Sequence, residues 1–309
     1  MNFLSREGEY LGSHFEIKLP EEHVSLCDEC FAELKRIEQE YSRFLDMSEL
    51  SKVNSKLGVW HNVSPEFVSL VKKALEFNKL TNGNFDITLK LSLDSLGYDK
   101  NYSFSVKSED KKYKKNLISR IHNKIRDTLK NSLTNPVILD EKHNKILLRK
   151  EIELGGFGKG YCLDQLSKIL ESKGVKNYYI NGGGDIYAKK EDKDDSWTIL
   201  LEHPDDPERA IGQINLNGMA IAGSAPNRRR WGKYHHLLNS KTKLPQDSVK
   251  CIFVLAKTGI EADAHATSLF TAGFEEGIEL ANKLSIDILI VSREDKMYVS
   301  PGFKVELFN

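Results

Sequence analysis

Glu153-Leu-Gly-Gly-Phe-Gly-Lys-Gly160 places four glycines and one lysine in eight residues, directly before a segment with the apolar spacing of a helix. Glycine accepts positive φ and lets a ligand approach the main chain closely. A helix N-terminus adds free N–H groups and a partial positive charge, so such a junction suits a phosphate. The glycines do not have the spacing of the P-loop, which ends Gly-Lys-Ser/Thr, and no Gly-x-Gly-x-x-Gly fingerprint is present. Alone, the stretch reads as a phosphate or metal loop or, equally well, as a tight strand-to-helix turn.

Outward from this loop the pattern mixes strands and helices. Downstream, Leu163, Leu166, Ile169 and Leu170 mark a helix that ends before Gly174. A strand over residues 175–180 then runs into Asn181-Gly-Gly-Gly-Asp185. Further strands are expected over residues 197–202, 212–216, 219–222, 251–256 and 286–292, and helices over 262–271 and 275–284. Upstream, residues 9–19 alternate like a strand, and residues 24–44 carry the apolar spacing of an amphipathic helix. Ser64-Pro65 starts a helix that Asn82-Gly83 stops. Residues 107–115 read as a lysine-rich solvated insertion. Leu117, Ile118, Ile121, Ile125 and Leu129 suggest another helix, and residues 137–139 and 145–148 a hairpin. There is no strict strand–helix alternation of a doubly wound sheet, no repeat and no long linker, so the expectation is one α+β unit over residues 1–309.

The 45 basic and 45 acidic residues cancel. That removes any global pull toward nucleic acid or an anionic membrane, and no apolar run approaches a membrane span. The first twenty residues lack a basic start and apolar core, and no cysteine lies there to take a lipid. As given, the chain reads as cytoplasmic, although an exported protein with its leader trimmed would look the same. Cys27 and Cys30 form a C-x-x-C with no second pair, on the apolar face of an expected helix, which favours two core thiols over a zinc or redox site.

Two later segments carry chemistry. In Glu261-Ala-Asp-Ala-His-Ala-Thr267, a helix puts Asp263 and Thr267 one turn apart on a shared face. A carboxylate, a hydroxyl and main-chain carbonyls from a Gly-rich turn make an all-oxygen set that suits Mg²⁺ or Ca²⁺ rather than zinc. The plain alternative is a capping aspartate and a back-bonded threonine. In Tyr234-His-His-Leu-Leu-Asn-Ser-Lys-Thr-Lys-Leu-Pro245, a histidine beside an apolar pair is either a base or a satisfied strand-end residue.

Taken together and in order, these segments resemble the ApbE family of FAD:protein FMN transferases. The resemblance is carried by Ser42-Arg-Phe-Leu-Asp-Met-Ser-Glu-Leu-Ser-Lys-Val-Asn54, Gly83-Asn-Phe-Asp-Ile-Thr88 and Glu153 to Gly160. It continues through Asn181 to Asp185, His236-Leu-Leu-Asn239 and Glu261 to Thr267, nearly the whole chain. It implies a fold of mostly antiparallel sheets with packed helices and a flavin site in a central cleft. It also implies a Mg²⁺-dependent enzyme that takes FAD and moves its FMN half to a serine or threonine hydroxyl of an acceptor protein, releasing AMP.

By position in the family pattern, Asp263, Thr267 and the Gly156 carbonyl would hold the metal, and Lys159 and Glu153 would contact FAD. Leu11, Phe44, Leu96, Gly97, Tyr98 and Leu237 fall on the isoalloxazine side. His236 is the candidate base or orienter for the acceptor hydroxyl, with Asp263 its rival. Several positions depart from the pattern: Leu96 stands for a frequent tryptophan, Asn239 for aspartate, Ser240 for proline and Gly158 for alanine, and Ala222-Gly-Ser-Ala225 for Ala-Thr-Ser-Gly. The same site could instead hydrolyse FAD to FMN and AMP, or bind flavin without turnover. Since no stretch of the chain carries the family's acceptor motif, the modified hydroxyl is expected on a partner.

Overall fold

The computed structural model describes residues 2–100, 103–104, 135–227 and 229–308. The lysine-rich stretch 107–115 and the helix expected around Leu117 to Leu129 lie outside the described residues. The chain opens with β1 (Phe3–Tyr10) and β2 (Ser13–Pro20), so the single strand expected over residues 9–19 is in fact a hairpin. Its two-residue turn needs positive φ at both positions, which Gly12 (66°) meets at no steric cost and Leu11 (52°) does not. The Leu11 N–H donates to Glu38 Oε1 at 2.9 Å, a contact from outside the hairpin that helps hold the turn.

Helix α1 (Cys27–Tyr41) follows a 3-10 turn and buries Cys27, Cys30, Leu34, Ile37 and Tyr41, the stripe its spacing predicts. The two cysteines are free and fully buried, and burial pushes their thiols up to about 11 and about 12. Next come α2 (Glu49–Asn54), β3 (Trp60–Asn62) and α3 (Pro65–Leu80). Ser64 caps α3 by accepting the Phe67 N–H at 3.1 Å, and Asn82 and Gly83 turn left-handed after it, as the sequence implies. Then α4 (Lys90–Leu96) leads to the described remainder: β4 (Val137–Asp140), β5 (Lys145–Leu148), α5 (Gly158–Ser172), β6 (Tyr178–Gly182), β7 (Asp185–Lys189), β8 (Trp197–His203), β9 (Asp206–Leu216) and β10 (Met219–Ser224). The chain continues through β11 (Arg230–Trp231), β12 (Tyr234–His235), β13 (Val249–Ala256), α6 (Gly259–Ala272), α7 (Phe274–Leu284), β14 (Asp287–Ser292), β15 (Met297–Val299) and β16 (Val305–Leu307).

The main sheet runs β1-β2-β6-β7-β10-β13-β14-β15, with small sheets β16-β9-β8, β3-β5-β4 and β11-β12. Every pairing between these strands is antiparallel. Period-two alternation in the strands separates the two faces of the sheet. Ala220, Ala222, Ile252, Val254, Ile288 and Ile290 pack on α6 and α7, whereas Ile221, Cys251, Leu289 and Val291 pack against β8 and β9. The protein is thus α+β, with helices on one face of an antiparallel sheet and a second small sheet on the other. No helix among the described residues is long and apolar enough to cross a membrane.

Helices α5 and α6 meet at two glycines. A Cβ on Gly160 would lie 2.1 Å from the Gly259 carbonyl oxygen, so only glycine permits this crossing. Asp164 locks it by accepting the Gly259 N–H at 2.6 Å and the Ile260 N–H at 3.0 Å, which satisfies orphan donors at the start of α6.

Candidate functional site

A cavity of about 800 Å³ opens between the β1–β2 turn, the end of α1, the Gly-rich loop, the β6–β7 turn and α6. Leu11, Phe44, Tyr98, Glu153, Gly156, Lys159, His236, Leu237, Asp263 and Thr267 all line it. Residues far apart in the chain are therefore brought to one place. Leu96 and Gly97 do not line the cavity. Gly97 ends α4 at φ 102°, and the Leu96 carbonyl accepts the Trp231 indole N–H at 2.8 Å, so Leu96 meets the aromatic cluster through its main chain.

Two ends of the cavity differ in chemistry. At the charged end, Lys159 in the first turn of α5 is paired with Asp185, and its Nζ lies 3.3 Å from Asp263 Oδ1. Asp263 Oδ2 accepts the Gly160 N–H at 3.0 Å, and Asp185 Oδ1 accepts the Gly223 N–H at 3.1 Å. Burial raises the Asp263 carboxyl to about 7, with Asp185 adding to the rise and Lys159 and the Gly160 amide opposing it. Burial works against the Lys159 ammonium, but the two carboxylates outweigh it and hold the lysine above its ordinary range. Thr267 lies one turn after Asp263 on the cavity wall, and its hydroxyl has no hydrogen-bond partner among the described residues. The Gly156 main chain packs so closely that a Cβ there would lie 3.1 Å from Phe85 and 3.3 Å from Thr267 Cγ2.

Support for the Gly-rich loop comes from two of the quoted segments. Asn54 pairs with the Ile152 main chain, donating to its carbonyl at 2.8 Å and accepting its N–H at 2.9 Å. The Glu153 N–H donates to the Ile87 carbonyl at 2.8 Å, and Phe85 packs its ring 5.6 Å from that of Phe157. Glu153 Oε2 accepts the Gly155 N–H at 2.7 Å, and burial holds its carboxyl above the ordinary range.

At the aromatic end, Phe44 and Tyr98 meet edge to face at 5.9 Å, and Trp231 stacks on Tyr98 at 6.0 Å. Arg43 places its guanidinium 4.5 Å from the Phe44 ring and 4.9 Å from the Tyr98 ring. The same side chain donates to the Tyr98 carbonyl at 2.6 Å and to Asp94 at 2.7 Å. His236 lies 6.0 Å from Tyr98, and its Nδ1 has no partner among the described residues. Burial, with help from Arg229 and His235, holds the imidazole well below the usual histidine range, so it is neutral at pH 7. Arg229 approaches Tyr98 at 5.9 Å and Ser13 Oγ at 3.3 Å.

Four further contributions were absent from the candidate residues: Arg43 and Arg229 line the cavity, while the buried Asp185 and Trp231 support residues that do. Asp185 closes the Asn181 to Asp185 turn, so its signal was in view without a role. Arg43 sits inside the Ser42 to Asn54 segment as one variable position. Arg229 and Trp231 lie in a stretch with no periodicity to mark them. Asn239, by contrast, does not line the cavity. Its Oδ1 accepts the Lys241 and Thr242 N–H groups, each at 3.0 Å, and its Nδ2 donates to the Thr271 carbonyl at 3.0 Å. The asparagine at this position is thus a turn-builder.

A fold of this class with a cavity of this chemistry has known counterparts. The chain matches the ApbE family over residues 11–290 and belongs to it. It is 27% identical to the FAD:protein FMN transferase of Haemophilus influenzae, over 96% of this chain and 88% of the relative. It is 28% identical to that of Vibrio cholerae, over 88% and 81%. Among solved structures, the ApbE protein of Thermotoga maritima superposes with a TM-score of 0.84 at 25% identity, covering 98% of both chains. The flavin transferase ApbE of Vibrio cholerae superposes at 0.79, again with 25% identity and 98% of both chains.

Proposed function

We propose that the protein transfers the FMN half of FAD to a serine or threonine hydroxyl of an acceptor protein, with AMP released and Mg²⁺ as the metal cofactor. The observation that carries this reading is one cavity with a buried lysine–carboxylate group at one end and an aromatic wall at the other. Its volume of about 800 Å³ suits a whole organic ligand. Phosphates and a flat ring system need opposite environments, and both are present here.

The donor set fits a small hard cation. Asp263 supplies a carboxylate, Thr267 a hydroxyl with no hydrogen-bond partner among the described residues, and the close-packed Gly156 a main-chain carbonyl. These are oxygens only, the donor type a small hard cation takes. When bound, Mg²⁺ would neutralise pyrophosphate oxygens and so favour departure of AMP.

The chain's own residues would do the rest. Lys159 would add positive charge beside the pyrophosphate, and Glu153 would accept from ribose or adenine. Phe44 and Tyr98 would hold the isoalloxazine, with Leu11 and Leu237 closing its apolar edge. His236, neutral at pH 7, would accept the proton of the acceptor hydroxyl as its oxygen bonds to the FMN phosphorus and the P–O bond to AMP breaks. Exclusion of water by these walls would favour transfer over hydrolysis.

The test is incubation with FAD, Mg²⁺ and an acceptor polypeptide, read by intact mass. An acceptor heavier by one FMN, with AMP released, is expected. FMN and AMP without an adduct would replace transfer with hydrolysis, and unchanged FAD would leave only a flavin-binding protein.

A further inference from the structure

Asp263 has both carboxylate oxygens engaged, one by the Gly160 amide at 3.0 Å and the other by Lys159 Nζ at 3.3 Å. A second cation cannot take that carboxylate at full charge while the ammonium stays. Lys159 has another place to go. Asp185 is fully buried, already touches the same Nζ, and is anchored through Oδ1 to the Gly223 amide of β10. The lysine stem starts in the first turn of α5 and is long and flexible, and its Nζ lies between two carboxylates that main-chain amides anchor.

We propose that Lys159 is an internal counter-ion occupying the cation position on Asp263, and that Asp185 is the positioning residue that keeps it when a divalent cation enters. This rests on the metal reading above and adds to it. With both carboxylates ionised, they and the one ammonium leave one net negative charge in the buried group. A divalent cation changes that to one net positive charge, which an anionic pyrophosphate would balance. Metal entry and nucleotide entry are thereby tied, and the lysine holds metal affinity low until the nucleotide arrives.

The test is Mn²⁺ binding to the full chain without FAD, read by electron paramagnetic resonance of free Mn²⁺, with thermal melting as a fold check. Lys159→Met should bind Mn²⁺ at least about tenfold more tightly than wild type, because the competing ammonium is gone. Asp185→Asn should bind it more weakly, since Lys159 then has Asp263 as its remaining carboxylate in this group. Lys159→Arg keeps the ion pair and a folded site, and its bidentate grip should also weaken Mn²⁺. A merely structural tie predicts the reverse sign for Lys159→Met. Equal or weaker Mn²⁺ binding in folded Lys159→Met overturns the proposal, as does unchanged binding in Lys159→Arg should the methionine variant fail to fold. No Mn²⁺ binding in any of the four proteins would remove the metal assignment itself.

Discussion

The two ends of the cavity are built by different means. The charged end is assembled from main chain: glycines at 155, 156, 158 and 160, amides that grip Asp185 and Asp263, and a helix crossing that tolerates no Cβ. The aromatic end is assembled from side chains, with Arg43 tying Phe44, Tyr98 and Asp94 and with Trp231 reaching the Leu96 carbonyl. Backbone-built geometry is rigid and intolerant of substitution. Side-chain geometry can be exchanged piece by piece, as Leu96 shows at the aromatic end, whereas the departures at the charged end, Gly158 and Gly223, are themselves glycines.

Substitutions can separate the two ends. The largest effect is expected from Asp263→Ala, which should lower FMN transfer roughly 10³-fold with little change in melting temperature. Intact-mass assays of the acceptor would show it, and retained activity would place the reaction elsewhere. Gly160→Ala should cost about 3–5 kcal/mol in urea unfolding, because its Cβ meets backbone at 2.1 Å. Gly158→Ala is its control. Outside its chain neighbours and its own helical turn, nothing lies within 4 Å of a Cβ there, so stability should hold or rise slightly.

Acid should loosen the segment around His235, which leads into the cavity residue Leu237. Burial holds His235 at about 4, against an ordinary 6.5, and its Nδ1 accepts the Leu237 N–H at 3.2 Å. Between those two values the unfolded chain binds a proton that the folded chain refuses. Stability is therefore full above pH 6.5 and lost as pH falls toward 4, by about 3 kcal/mol from this residue. His265, also held at about 4 by burial, contributes with the same sign. Urea unfolding at pH 7 and pH 4.5 would measure the loss, and His235→Gln should flatten it.

Arg43→Met should weaken FMN binding about tenfold while leaving ADP binding unchanged, as fluorescence and calorimetric titrations would reveal. Equal losses for both ligands would mean that the two ends do not divide the substrate as supposed. The smallest change is Asn239→Asp. It keeps both turn acceptors and loses the donor to the Thr271 carbonyl, for about 1 kcal/mol of stability and no loss of transfer.

The contrast between the ends also explains what could be read from residues alone. Glycine runs and the Asp263 to Thr267 spacing are local, so the charged end and its flanking helices were legible. So were α3, with Ser64 and Asn82-Gly83 at its ends, and the hairpin of β4 and β5. The β1–β2 turn was not, because Leu11 at φ 52° offers no turn signal and part of its support comes from Glu38 on α1. The short elements α2, α4, β3, β15 and β16 were missed as well, being too short to develop a periodic pattern. Arg43 and Trp231 find their partners across long stretches of chain, and no spacing rule links residue 96 to residue 231.

Asp164 and the paired glycines weld α5 to α6, so the lysine on one rod and the aspartate on the other cannot drift apart without breaking that joint. For protein engineering this makes the pair a single transplantable cassette. A scaffold given only one of the two rods would inherit half a site, and redesign of acceptor choice should begin with the aromatic walls, leaving this joint untouched.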